Sequence, residues 1–182
     1  MAESQLPCPT VLRQLLRYEP ETGKLFWRPR APAWFKNNAA HDVWTQKYCG
    51  KEALIGRNAK GYRKGSVLYK QCLAHRAIYA MMTGRWPADQ IDHINGVPDD
   101  NRWMNIRSVT PAENSKNLAR PKNNTSGYVG VWMGRTKKWQ ADIIVNNKKI
   151  HLGSFDQIED AAAARAAAEV IYGFHPNHGR GI

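Results

Sequence analysis

Four side chains near the middle of the chain have the types and order to hydrolyse a phosphodiester. Asp92 and His93 are adjacent, Asn105 follows, and Asn114 lies further on. Such hydrolysis needs a water made nucleophilic, relief of charge on the phosphorane and a stabilised leaving alkoxide. One imidazole and one hard divalent cation supply all three. Taken alone, an Asp-His pair is more often a solvated surface pair than a catalytic centre, so its weight depends on what surrounds it.

The elements that must position these residues can be read from local pattern. Ile91 to Ile94 is strand-like, and Asn95-Gly96 is a strong turn signal. The loop from Pro98 to Asn105 is polar apart from Trp103 and Met104, and Ile106 to Val109 can return as a strand. Thr110-Pro111-Ala112-Glu113 combines a first-position proline with a Thr-x-x-Glu capping box, which starts a helix and places Asn114 in its first turn. Asn117 is a rival to Asn114, since both fall near one helix face. The order is strand, loop, strand, helix. One geometric demand follows: neighbours on a regular strand point to opposite faces, so the strand must end, twist or bulge for Asp92 and His93 to line one site.

Ile91-Asp92-His93-Ile94-Asn95-Gly96, then Asp100-Asn101-Arg102, Asn105-Ile106-Arg107 and Glu113-Asn114, resemble the ββα-metal motif of phage and homing-type HNH endonucleases. The resemblance implies that His93 is the general base, that Asp92 and Asn114 bind the metal, and that Asn105 braces the loop. Mg²⁺ is the expected ion, with Mn²⁺ able to substitute, because Asp and Asn offer hard oxygens; zinc is not expected. His75-Arg76 resembles a pair found just upstream in many phage HNH proteins, with a core-facing His and a solvated Arg as the plain alternative. Arg76, Arg102 and Arg107 are candidate DNA contacts; Arg102 and Arg107 could instead pair with Asp99, Asp100 or Glu113.

Upstream, Thr10 is a possible N-cap for a helix over Val11–Leu16, Glu21-Thr22-Gly23 makes a turn, and Lys24–Trp27 reads as a short strand. Leu15-x-x-Tyr18-x-x-Glu21-Thr22-Gly23 with Phe26-Trp27 is also common in such phage proteins. From Arg28 to Gly65 the pattern is weak and suggests irregular β-rich structure, not a long helix. Val67–Leu73 reads as a strand and Ala74–Thr83 as a helix ended by Gly84. Trp27, Trp34, Trp44 and Trp86 suit a core better than base stacking.

Residues 121–127 are Lys-, Asn-, Thr- and Ser-rich, as a short linker would be. Beyond them Trp139, Ala141, Ile143 and Val145 alternate with more polar neighbours, and Asn146-Asn147 suits a hairpin turn. Asp156-x-x-Glu159 is a possible capping box for an Ala-rich helix closed by Gly173. Ser126-Gly127-Tyr128-Val129-Gly130-Val131, Lys138-Trp139-x-Ala141-x-Ile143 and Leu152-Gly153-x-Phe155 with Glu159-Asp160-Ala161-Ala162 resemble the plant ethylene-response-factor DNA-binding domain, whose three-stranded sheet enters the major groove. That resemblance makes Trp132, Arg135, Lys137 and Trp139 DNA contacts, although Val129, Trp132 and Met133 stand where plant domains carry arginines. In the plain alternative Trp139 packs against the helix and Lys137 is solvated.

The formal charge is +12 with a pI near 9.8, which favours phosphate polymers. Residues 1–90 hold a net +9, against +1 for 91–122 and +2 for 123–182. Cys8, Cys49 and Cys72 are an odd number with no C-x-x-C pair, which argues against a disulfide framework or thiolate zinc site. His41, His151, His175 and His178 show no ligand spacing. No stretch is apolar enough for a membrane span and no secretion signal is evident, which suggests a soluble protein of a reducing compartment, the host cytoplasm if phage-encoded.

The expected architecture is α+β: a basic, partly β region over 1–66, an HNH core over 67–120, a linker over 121–127, and a sheet-plus-helix DNA-binding domain over 128–177. The expected substrate is double-stranded DNA, with no membrane and no obligate protein partner. A noncatalytic DNA-binding regulator on a degenerate nuclease scaffold is the alternative. An RNA-binding protein fits the charge but neither motif series.

Overall fold

A computed structural model describes residues 6–181 of the chain. It is an α+β protein dividing into two compact units, Met1–Ser108 and Val109–Ile182.

The first unit opens with α1 (Pro9–Leu15), running directly into the antiparallel pair β1 (Leu16–Glu19) and β2 (Lys24–Trp27). The cap is Cys8 with Pro9 at the first helical position, so Thr10 lies inside the helix instead of capping it. The β1–β2 turn closes on Gly23, at φ +73°. Next comes α2 (Asn38–Tyr48), where irregular β structure was expected. Its pattern hid it: the helix buries no residue, so no apolar stripe marks it. It is held instead by an Asn37 cap on the Ala40 amide and by Trp44, whose ring packs against Trp27, Phe35 and the Arg30 guanidinium.

The expected single strand over Val67–Leu73 is the end of one hairpin arm and the whole of the other. Strands β3 (Gly56–Arg57), β4 (Arg63–Val67) and β5 (Lys70–Leu73) form a three-stranded antiparallel sheet. The β4–β5 turn is Leu68-Tyr69, both at positive φ, a conformation normally signalled by Asn or Gly. Then α3 (Ala74–Thr83) ends at left-handed Gly84, as expected. It buries Ala77, Ile78 and Met81 in a core shared with Leu12, Leu15 and Leu16. Full burial of an Ile or Leu is worth about 1.5–3 kcal/mol, so this contact anchors α3 firmly. A two-stranded sheet of β6 (Gln90–His93) and β7 (Ile106–Val109) completes the strand–loop–strand pattern, with Ile91 and Ile106 in the same core.

The second unit starts with the short helix α4 (Pro111–Ser115). The Thr110–Glu113 capping box is fully formed, in both directions. Strands β8 (Val131–Met133), β9 (Trp139–Val145) and β10 (Lys148–Phe155) make an antiparallel sheet in the order 10-9-8. Asn146 and Asn147 turn the hairpin at positive φ. Helix α5 (Ile158–Ile171) covers one face, packing Ala161 and Ile158 onto Val131, Ala141, Trp139, Leu152 and Phe155. Gln157, not Asp156, precedes this helix, and no side-chain cap forms there. The compact unit takes in residues 109–120, earlier than the 121–127 segment expected to divide the chain. The C-terminal tail explains this. Arg180 Nη1 donates to the carbonyl of Asn117, the His175 amide to that of Lys116, and the Gly179 amide to that of Leu118.

Candidate active site

Strand β6 ends at His93, and the Gly96 amide donates to the His93 carbonyl at 2.8 Å as the chain turns. The strand end that Asp92 and His93 demanded is therefore present. Asp92 and His93 are both buried and have different neighbours. His93 Nε2 donates to Oδ1 of Asn101 at 2.9 Å, and Asn101 is itself fully buried. Two more rings close around His93: His75 at 5.2 Å between centroids, edge to face, and Tyr62 at 5.7 Å. Burial pulls the His93 pKa below the ordinary imidazole value, outweighing the Asn101 hydrogen bond and the carboxylates of Asp92, Asp100 and Asp99.

Asn105 ties the intervening loop together. Its Oδ1 accepts from the Asn95 amide at 3.0 Å, and its Nδ2 donates to Asn95 Oδ1 and to the Asp100 carbonyl at 2.9 and 2.7 Å. Asp100 in turn takes Arg102 Nε and Asn95 Nδ2, and is held ionised down to about pH 2 chiefly by Arg102. The N-terminal hairpin supports the same loop from outside. Tyr18 hydroxyl donates to the Asn101 carbonyl at 2.8 Å, and the Trp103 amide donates to that of Pro20 at 3.1 Å. A Cβ on Gly23 would sit 2.6 Å from backbone atoms of Asn101 and Arg102, so only glycine permits this approach. The Tyr18…Gly23 motif thus supports the residue that holds His93.

Asp92 pairs with Arg107 on β7: Nε and Nη2 both donate to its Oδ2, at 3.0 and 2.9 Å. Among the described residues no three His, Cys, Asp or Glu side chains gather as a metal cluster. The donor chemistry at Asp92 still fits a hard cation, because a carboxylate is what Mg²⁺ prefers, although that carboxylate is shared with a guanidinium. Asn114 lies on α4 behind the Thr110–Glu113 cap. Its rival Asn117 is buried beyond the helix end, and its Oδ1 accepts from Arg180 at 3.3 Å.

The remaining candidates separate by what they touch. Arg76 donates to the carbonyls of Asp89 and Pro87, fastening the segment before β6. Arg102 pairs with Asp100 and Arg107 with Asp92. In the second unit Trp132, Arg135 and Lys137 are exposed, whereas Trp139 packs in the core beneath the sheet. Lys149 Nζ sits over the Trp132 ring at 4.5 Å and pairs with Asp142. Asn101 and Tyr62 went unmarked in the sequence as partners of the histidine. Asn101 stands inside the Asp100-Asn101-Arg102 run, but nothing local says that it alone of the three is fully buried. Tyr62 carries no signal at all.

Comparison with known proteins gives three results. A family model described as HNH endonuclease matches residues 72–116. The chain is 32% identical over 105 residues to protein 3.8 of Escherichia phage T7, an alignment covering 57% of this chain and 84% of that protein. No solved structure matches the chain. None of these supports the ethylene-response-factor resemblance. No helix among the described residues is long and apolar enough to cross a membrane.

Proposed function

The chain belongs to the family of phage T7 protein 3.8 and carries an HNH endonuclease domain over residues 72–116, and from that premise we propose that it is a metal-dependent endonuclease acting on double-stranded DNA. The observation that carries the reading is His93 inside that domain, buried, favouring the neutral form and committed at one nitrogen to Asn101. A neutral imidazole carries one ring nitrogen with a lone pair, and that nitrogen is the one that takes the proton from the attacking water. Asn101 holds the ring at Nε2, and Asn105 keeps the loop carrying Asn101 in register with β6. Asp92 would hold Mg²⁺, or Mn²⁺ in its place; Asn114 joins it on the order of the motif alone. A bound ion of this kind relieves charge on the phosphorane and stabilises the leaving oxygen.

For DNA contacts we propose Arg76, Arg102 and Arg107 in the first unit. Each keeps N–H donors beyond those used inside the protein, since a guanidinium has five. Their intramolecular partners fix them in place before a phosphate arrives. In the second unit Trp132, Arg135 and Lys137 would meet the duplex if the sheet acts as in ethylene-response-factor domains. Trp139 would serve by shaping that sheet from below. The surplus positive charge of residues 1–90 adds attraction without sequence preference.

One observation favours a second reading, a DNA-binding protein without catalysis: Arg107 already occupies an oxygen of Asp92. Incubation with supercoiled plasmid separates the two. The nuclease relaxes or linearises plasmid in Mg²⁺, stops in EDTA, and loses about 100-fold or more of its rate as His93→Ala while still binding DNA. Binding without any Mg²⁺-dependent cleavage would establish the second reading.

A further inference from the structure

Helix α2 buries no residue, and the reaction outlined above makes no use of it. It is nevertheless held at both ends. The Trp27 amide donates to the Lys51 carbonyl at 3.0 Å and the Gly50 amide to the Trp27 carbonyl at 2.9 Å, so the chain leaves the end of β2 and returns to it. Between these points the Arg30 guanidinium lies over the rings of both Trp27 and Trp44, at 4.9 and 4.2 Å from their centroids. Gly23, at the opposite end of β2, is the residue that touches the Asn101 loop. Four residues of strand, ~13 Å, thus separate the seat of α2 from the loop holding His93.

With 3.6 residues per turn, Ala39, Ala40, Asp42, Val43, Gln46 and Lys47 share one outer arc of about 160°, and all six are exposed. His41, Trp44 and Thr45 fall on the seated side. The solvent face of an ordinary surface helix is charged. This one centres instead on Val43, 64% exposed, with short side chains beside it that let the helix axis come close to another surface. Residues 28–52 carry five Lys/Arg against two Asp/Glu. Both acids are engaged, Asp42 by His41 Nδ1 at 3.0 Å and Glu52 by Arg63. Arg28, Lys36, Lys47 and Lys51 are exposed and have no carboxylate partner among the described residues.

Taking the duplex-DNA substrate of the nuclease reading as given, we propose that α2 is a recognition helix that lies in the major groove beside the cleavage site. The groove of B-form DNA admits an α-helix, whereas that of duplex RNA is too deep and narrow. Gln46 presents an amide that pairs in two places with an adenine edge, and the Val43 methyls meet a thymine methyl. Lys36, Lys47, Lys51 and Arg28 take phosphates on either side and fix the register. The preference set by α2 is therefore for A·T pairs, and β2 ties that choice to the loop holding His93.

The test uses full-length native protein, Gln46→Ala, and a combined Lys36→Ala, Lys47→Ala, Lys51→Ala variant. In EDTA, each is allowed to select from a randomised DNA duplex library, and its affinity for the native selection and for one fixed random duplex is measured against salt. Gln46→Ala is expected to lose an A·T preference at one position and between about 5- and 100-fold in affinity for the native selection, with random duplex bound within about twofold. The combined variant is expected to keep the native preference while its salt slope falls by about 2 to 3. Melting temperatures should stay at the native value, since every substituted side chain is exposed. Gln46→Ala selecting the native sequence with native affinity overturns the groove placement. An unchanged salt slope in the combined variant overturns the phosphate contacts. Native DNA binding with altered sedimentation of the free protein would make this face a contact between copies of the chain, and the proposal would fall. Plasmid cleavage in Mg²⁺ is followed separately. Cleavage by native protein with no change in binding by the variants sinks α2 and leaves the nuclease standing. Altered selection by the variants with no cleavage by native protein sinks the nuclease and leaves α2 as the DNA reader.

Discussion

A general base must be neutral to accept a proton, and the surroundings of His93 favour that state. Burial lowers its pKa, and the opposing pull of Asn101 and three carboxylates does not cancel the effect. The sign follows directly: protonation, and with it loss of activity, begins only at a pH below the ordinary imidazole value. Cleavage at saturating Mg²⁺ is therefore expected to be flat through neutrality and to fall on the acid side, with its midpoint under about 6.5. A midpoint at or above that value in the pH–rate profile would mean that the carboxylates dominate once metal and DNA are bound. His93 itself was evident from the Asp-His pair and the asparagines that follow it. Its hydrogen-bond partner was not, because Asn95, Asn101, Asn105, Asn114 and Asn117 are chemically identical, and only burial and distance single out Asn101.

At the level of elements, the β1–β2 hairpin supports a loop far from it in sequence. Gly23 is the point of closest approach, at φ +73° and with backbone of the Asn101 loop where a Cβ would go. Backbone on both sides cannot yield as a flexible side chain would. Gly23→Ala is therefore expected to lower both melting temperature and cleavage, because it strains the turn and displaces the residue holding His93. Thermal unfolding and plasmid cleavage check this together; a variant cutting at the native rate would detach the hairpin from the site. Elements with strong local signals came out as read, among them α3 with Gly84, the Thr110–Glu113 cap and the Asn146-Asn147 turn. Those without were missed. Helix α2 turns no apolar face inward, and Leu68-Tyr69 adopts a turn that its residue types do not favour.

Across the whole molecule each unit buries a histidine that resists protonation. In the first, burial foremost, then His93 and Arg76, pull His75 down to about 3. In the second, burial foremost, then Arg165 and Arg180, pull His178 down to about 4. The unfolded chain takes up these protons near 6.5 and the folded chain does not. Both groups therefore contribute stability above about pH 6.5 that is lost as the pH falls, down to about 4 for His178 and about 3 for His75. Urea unfolding across that range should show the decline, and His75→Phe should remove the share belonging to the first unit. An unchanged acid dependence in that variant would mean His75 is reached by solvent before unfolding.

Sequence by itself determined the chemistry on offer and the local scaffold for it. The Asp-His pair, the turn after it and the capped helix start are encoded within a few residues, where backbone preference and side-chain capping act without help from the rest of the chain. The central hairpin and the helix of the C-terminal sheet were likewise legible, through alternation and turn residues. Tertiary structure alone decided which asparagine holds His93, that His75 and Tyr62 enclose it, that Arg107 pairs with Asp92, and that residues 116–120 are bound to the C-terminal tail. These depend on contacts between residues from about 8 to more than 60 positions apart. Burial and approach distance settle them, and neither quantity is written in any local stretch of residues.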